Sequence, residues 1–210
     1  MKDSGYDFDH IAETIFYPIY DEITDNLLRK INLQEGRFLD IGCGGGHLGF
    51  SLLKKTKMNA SFLDIQSSAV ETAKRRAADL GFMERSSFWV GDVESMSFEK
   101  DTFQLVISRG SMPFWENQEA AFTEIYRVLA PGGKTFVGCG LGNPETREKI
   151  RDKMRQNGFQ FFGEKRNDES KALTSAEYKK LFFQKGWKHE IIDSPEEGRW
   201  IILAKDTLEE

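Results

Sequence analysis

Residues 38–50 constrain the chain more than any other stretch. Phe38-Leu39-Asp40-Ile41 is a short apolar run carrying one acid. Four glycines and one cysteine then fill the five positions of Gly42-Cys43-Gly44-Gly45-Gly46, and His47-Leu48-Gly49-Phe50 opens a segment fit for a helix. Glycines at such a junction let the backbone turn sharply and approach a ligand closely. The helix N-terminus adds free N–H groups and partial positive charge, which suits a phosphate or the carboxylate of an amino acid. The loop does not choose between them. Gly44-Gly45-Gly46-His47-Leu48-Gly49 also satisfies the G-x-G-x-x-G pattern of dinucleotide binders, and a tight strand–helix turn without a ligand has the same composition.

Around this loop, short β-like apolar runs alternate with helix-period runs, which predicts an α/β fold. The strands expected are Arg37–Ile41, Asn59–Asp64, 87–91, 103–108 and 134–139. After Asp64, Ser68 and Glu71 have capping-box spacing ahead of a helix with Val70, Ala73, Ala77 and Leu80 on its apolar face. A helix over 118–129 presents Phe122, Ile125 and Leu129, and Ala130-Pro131-Gly132-Gly133 forces a turn. Thr174 and Glu177 form a second capping box before a helix with Tyr178, Leu181 and Phe182. Two strands follow, 187–193 and 199–205. The short link 194–198 suits antiparallel pairing, because a parallel return needs a longer crossover. The sheet is therefore expected to be mostly parallel with one reversed strand.

The 210 residues fit a single domain with one sizeable core. Two segments lie outside the α/β core. Residues 1–34 form a helical lead-in with Ile11, Ile15, Ile19, Ile23 and Leu27 at i+4 spacing, kinked or divided at Pro18. Residues 141–173 form an insertion that starts a helix at Asn143-Pro144 and stops it at Gly158. In that helix, Arg147, Lys149, Arg151, Lys153 and Arg155 are interspersed with Glu148 and Asp152, the pattern of a solvated face or, alternatively, of a site for an anionic acceptor or protein partner. A net charge of −5 speaks against a nucleic-acid partner. No apolar run reaches membrane-spanning length, and the polar, acidic beginning is unlike a signal peptide. Two cysteines are too few for a disulfide framework, so a reduced cytoplasmic setting is expected.

Three further features follow the loop in order. Asp64 ends the second strand, where an acid can accept both hydroxyl protons of a ribose. Asp92, before Val93, follows the third strand, where a carboxylate could take an adenine amino hydrogen. The Pro-Gly-Gly turn precedes the fifth. Each acid alone could be a turn former or a helix cap.

Over residues 37–205 this ordered set resembles the class I S-adenosylmethionine-dependent methyltransferases. The resemblance implies a Rossmann-like three-layer sandwich whose seven-stranded, mostly parallel sheet carries the last strand antiparallel beside the sixth. It implies S-adenosylmethionine as cofactor and S-adenosylhomocysteine as product. It assigns the methionine part to Asp40, Gly42, Cys43, Gly44 and Gly46, the ribose to Asp64 with Ile65 beside it, and the adenine side to Asp92 and Val93. Ser108 and Arg109 fall beside the methyl group. A nicotinamide-dependent oxidoreductase and a non-catalytic S-adenosylmethionine-binding protein are the alternatives.

Methyl transfer from a sulfonium demands alignment more than acid–base chemistry, and no triad is expected. Nucleic-acid and glutamine-modifying branches resemble Asn-Pro-Pro-Tyr after strand four, whereas here stands Ser108-Arg109-Gly110-Ser111-Met112-Pro113-Phe114-Trp115. The expected acceptor is thus a small molecule. Phe114 and Trp115 either wall its pocket or pack under a loop. Arg109 either holds an anionic substrate, binds a backbone carbonyl or forms a surface ion pair. In small-molecule members of the family an N-terminal helix often closes over the site. Tyr17 or Tyr20 would then touch cofactor or acceptor, with Tyr6, Phe8, Phe161 and Phe162 in the covering pieces. His10, His47 and His189 show no metal-ligand spacing, and no metal is expected. Cys43 should pack against the cofactor, and Cys139 should end strand five near the pocket.

Overall fold

The computed structural model describes residues 8–158 and 171–207. Tyr6, Phe161, Phe162 and the side chain of Phe8 lie outside that description. The strands are β1 (Arg37–Ile41), β2 (Asn59–Asp64), β3 (Ser86–Val90), β4 (Phe103–Arg109), β5 (Leu129–Gly138), β6 (Lys188–Ser194) and β7 (Gly198–Ala204). They form one seven-stranded sheet in the order β3-β2-β1-β4-β5-β7-β6. β1 to β5 pair in parallel, and β7 runs antiparallel between β5 and β6. The mostly parallel sheet with a reversed terminal strand is the one expected.

The helices are α1 (Phe8–Ile11), α2 (Tyr17–Ile31), α3 (His47–Lys55), α4 (Ser67–Asp79), α5 (Gln118–Val128), α6 (Pro144–Gln156) and α7 (Ser175–Gln184). Side chains alternate across β1 with the period of a strand. Phe38 joins a buried cluster with α2, α3, α4 and α6, while Leu39 and Ile41 join another with α5 and α7. Three layers result. Asp40 shares the Phe38 face, and this points it at α3. β1 also sits where the strand order reverses, with β2 on one side and β4 on the other. Ligands of open α/β sheets bind outside the carboxyl ends of the strands at that switch point.

Pro18 acts as expected, although the division falls just before it. A π turn at Ala12–Phe16 separates α1 from α2, and Pro18 lies in the first turn of α2. Widening the preceding turn relieves the clash between a proline ring and the carbonyl four residues earlier. Three expectations are corrected. α4 begins at Ser67 after Gln66, with no side-chain cap, so Ser68 and Glu71 make no capping box. Instead the Gln66 N–H donates to Asp64 Oδ1 at 2.9 Å, and the helix starts two residues earlier than a cap at Ser68 would place it. β3 lies one residue earlier than predicted. β5 starts at Leu129 and loops Ala130, Pro131, Gly132 and Gly133 out of register before pairing resumes at Lys134. The loop is fixed to Lys205 by bonds from Gly132 N–H and to Gly133 O, each 3.0 Å. The Thr174–Glu177 capping box is present. Among the described residues no helix is long and apolar enough to cross a membrane.

Phe122 of α5 anchors the second cluster. It is fully buried and meets Trp115, Tyr178 and Phe182 edge-on, with centroids 5.6, 5.4 and 5.1 Å away. Phe122→Ala is expected to cost about 3–5 kcal/mol, transfer and cavity terms combined. Urea unfolding measures it, and a loss under about 1 kcal/mol would refute this packing.

Candidate functional site

The loop between β1 and α3 is built from glycines with different jobs. Gly44 has φ +52°, and a Cβ placed on it meets nothing within 4 Å. Its Cα therefore borders open space. Gly46 has φ +82°, and a Cβ there would come within 2.5 Å of the Phe50 ring. Gly42 backs onto Ser111, and Gly45 onto Asp9 and Arg76. The loop is wedged on three sides and open at Gly44.

Asp40 holds the loop from below. It is 2% exposed, and its Oδ2 accepts the Gly49 N–H at 3.0 Å. Burial pushes its carboxyl up to about 8; the Gly49 bond opposes this and the nearby Asp64 charge adds to it. Asp40 is thus a buried prop for the start of α3. Cys43 is buried and its Sγ lies 3.4 Å from Gly44 O. Burial first, then Asp40 and Asp64, push its thiol well above the ordinary value, so it stays protonated.

Asp64 ends β2 and ties two loops together. Oδ2 accepts the Gly44 N–H and Oδ1 the Gln66 N–H, both at 2.9 Å. A carboxylate has about four lone-pair positions, so roughly two stay available. Next to it Ile65 is 60% exposed, so its side chain stands bare just past the end of β2. Asp92 is exposed, and its Oδ1 accepts the Glu94 N–H at 2.9 Å. Val93 is buried in the second cluster, so only its backbone can face a ligand.

At the end of β4, Ser108 is fully buried. Its hydroxyl donates to Ile41 O at 2.8 Å and bonds the Ser111 hydroxyl at 2.6 Å, so it serves strand cohesion. Arg109 donates from Nε to Gly140 O at 3.2 Å and lies over the rings of Phe16 (4.6 Å) and Tyr20 (5.7 Å). Tyr20 is buried and stacks on His47, centroids 5.2 Å apart. Tyr17, by contrast, is 60% exposed. Trp115 is buried against Phe122, which is the packing alternative for that residue, whereas Phe114 is 52% exposed. Cys139 is exposed just past β5.

A clamp that no local sequence pattern discloses lies against the loop. Arg76 of α4 donates to both carboxylate oxygens of Asp9, at 3.2 and 3.1 Å, and also to Glu13 and to Gly45 O. His47 Nε2 lies 3.1 Å from Asp9 Oδ1. Burial opposes ionisation of Asp9, but Arg76 and His47 together hold its carboxyl below the ordinary value. Burial and then Arg76 lower His47. The clamp presses the lead-in onto the glycine loop. Ligand atoms of Asp9, Glu13 and His47 lie within 4.8 Å of one another, but Arg76 already supplies positive charge to both carboxylates.

Comparison with known proteins fits this architecture. The methyltransferase-domain family matches residues 38–133. A structure from Methanococcus maripaludis, assigned as an S-adenosyl-L-methionine-dependent methyltransferase, is 35% identical. It superposes with a TM-score of 0.86, covering 96% of this chain and 92% of that one. The biotin biosynthesis bifunctional protein of Teredinibacter turnerae is 33% identical over 123 residues, 56% of this chain and 21% of its own length. A sterol 24-C-methyltransferase of Aspergillus fumigatus is 32% identical over 120 residues, 55% of this chain and 32% of its own length. The chain spans well under half the length of these two curated relatives. It belongs to the class I S-adenosylmethionine-dependent methyltransferase family. That membership sets the nicotinamide alternative aside.

Two outcomes test the local geometry. Gly46→Ala should destabilise by about 2–5 kcal/mol, left-handed strain plus the Phe50 collision, and Gly44→Ala by only about 1–2 kcal/mol. Equal losses on denaturation would contradict the open side at Gly44. Asp40 has a raised folded pKa, so its contribution is fully present below about pH 4 and lost as pH rises through about 8. Asp40→Asn removes that titration. Without ligand, its melting temperature should therefore gain on the parent between about pH 5 and about pH 8. A pH-independent difference would show that Asp40 is charged at neutral pH.

Proposed function

We propose that the chain binds S-adenosylmethionine at the open side of the glycine loop and methylates a small-molecule acceptor. The observation that carries the cofactor reading is the pairing of Gly44 with Asp64. Gly44 leaves the room that a close-lying ligand needs, and Asp64, bonded to its N–H, keeps about two lone-pair positions, matching the two hydroxyls of a ribose. The residues fit the group. Gly42, Cys43, Gly44 and Gly46 would border its methionine part, with Asp40 propping the loop beneath them. Asp64 would hold the ribose and the exposed Ile65 would cover the nucleoside. Asp92 would take the adenine amino hydrogen through Oδ2, which has no partner among the described residues. Val93 would line that end by its backbone. When bound, S-adenosylmethionine would supply a methyl group already activated by its positively charged sulfur.

The protein's own part is to orient and to exclude water, and orientation alone can supply about 7–11 kcal/mol. The clamp of Arg76 on Asp9 and Glu13 supports this, because it covers the loop with the lead-in. Residues 1–34 and 141–173 are read as covering pieces of a single domain. α6 supports this, since Ile150 and Met154 join the cluster of Ile11, Ile15 and Ile19. A small acceptor is supported by that covered entrance, by the lack of Asn-Pro-Pro-Tyr after β4 and by the relative named for sterol methylation.

Methyl release from labelled S-adenosylmethionine, over a metabolite panel beside protein and RNA substrates, tests the reading. Turnover of a small molecule is expected, and turnover of macromolecules alone would overturn it. Asp64→Ala should weaken S-adenosylhomocysteine binding by about 1.5–3 kcal/mol in calorimetric titration. Unchanged affinity would remove Asp64 from the site.

A further inference from the structure

Among the described residues, Arg109 has no counter-charge at the carboxyl end of the sheet; Arg85, which also meets no carboxylate, spends both Nη groups on the carbonyls of Thr56, Met58 and Leu53. Arg76, Arg127 and Arg199 each meet a carboxylate. Arg109 is half-buried at the carboxyl end of β4, and among the described residues it meets one carbonyl and two ring faces, with no carboxylate at ion-pair distance. A cation partly removed from water without a counter-charge is costly, and such charges are normally paired. Its contacts also fix its posture. Nε is spent on Gly140 O, and Phe16 and Tyr20 steady the guanidinium, so the terminal edge with both Nη groups has no protein acceptor among the described residues. That edge presents two parallel N–H donors, the arrangement that matches the two oxygens of a carboxylate.

The position bears on which carboxylate. β1 and β4 flank the switch point, and β4 is the side away from Asp64 and β2. Arg109 touches Tyr20, and Tyr20 in turn stacks on His47 at the start of α3. Arg109 thus stands beside the glycine loop, touching Phe16 and Tyr20 of the lead-in and Gly140 after β5. The acceptor would enter between those pieces. From this we propose that the methyl acceptor carries a carboxylate, held by the Nη edge of Arg109 next to an aromatic wall of Phe16 and Tyr20. The inference rests on the small-molecule reading above and names the acceptor's chemical class.

The test uses the intact protein saturated with S-adenosylhomocysteine, with benzoate and benzamide as probes in ligand-observed saturation-transfer NMR. Benzoate should bind the parent and benzamide should not. Arg109→Gln should lose benzoate affinity by about tenfold or more, while S-adenosylhomocysteine affinity stays within about twofold, as befits loss of a charge-assisted fork. Arg109→Lys keeps the charge but not the fork, and should lose several-fold (about three- to tenfold); it carries the test if the glutamine variant does not fold. Absent benzoate binding, or equal binding to parent and variants, overturns the proposal. A large fall in S-adenosylhomocysteine affinity also overturns it, because the guanidinium would then hold the cofactor's own carboxylate. Methyl release to neutral small molecules, unaffected by Arg109→Gln, would sink this inference and leave the small-molecule reading standing.

Discussion

The bond from Gly44 N–H to Asp64 Oδ2, 2.9 Å long, is the constraint on which the site depends. It joins the loop after β1 to the end of β2, and Asp64 reaches onward through Oδ1 to the start of α4. One carboxylate thereby sets the path of the glycine loop, the first turn of a helix and the spacing between two strand ends. Its power comes from where the sheet puts it. β1 and β2 are parallel neighbours in strict register, Ile41 opposite Leu63, so their carboxyl ends finish side by side. A parallel sheet delivers both loops to the same edge, and a single short side chain can then connect them.

A second layer of contacts closes over the first. Asp40 props α3 through Gly49, so His47 at the head of that helix is well placed to meet Tyr20 and Asp9. Arg76, from the helix that Asp64 starts, bonds Asp9, Glu13 and the carbonyl of Gly45. The lead-in is therefore coupled to both loops of the cradle. Ion pairs this close to the surface contribute modestly one by one. Here several converge on one guanidinium, and the lead-in's isoleucines are separately buried in the cluster of α2, α3, α4 and α6, so the position of the cover is better defined than any single pair would make it.

Much of this was legible in the sequence. The apolar runs located the strands because residues covered on both faces leave near-continuous hydrophobic stretches, and the short link 194–198 disclosed the reversed strand. Asp40, Gly44 and Asp64 stood at strand ends where their spacing was visible. What could not be read depended on distant partners. Asp9 and Arg76 are 67 residues apart, and neither carries a local signature. The Ser68–Glu71 spacing misled because Asp64 captured the Gln66 N–H first, a tertiary choice that capping rules do not contain. Trp115 and Tyr20 look alike as aromatics beside a site; only packing sends the first to Phe122 and the second to His47 and Arg109.

The central claim, that the Gly44–Asp64 edge is a cofactor cradle, is tested most directly by following backbone amide resonances during titration with S-adenosylhomocysteine. Saturable shifts concentrated at Gly42–Gly46, Asp64, Ile65 and Asp92 are predicted, with NAD producing none of them. Binding of NAD at these residues, or shifts from S-adenosylhomocysteine confined to other parts of the sheet, would contradict it.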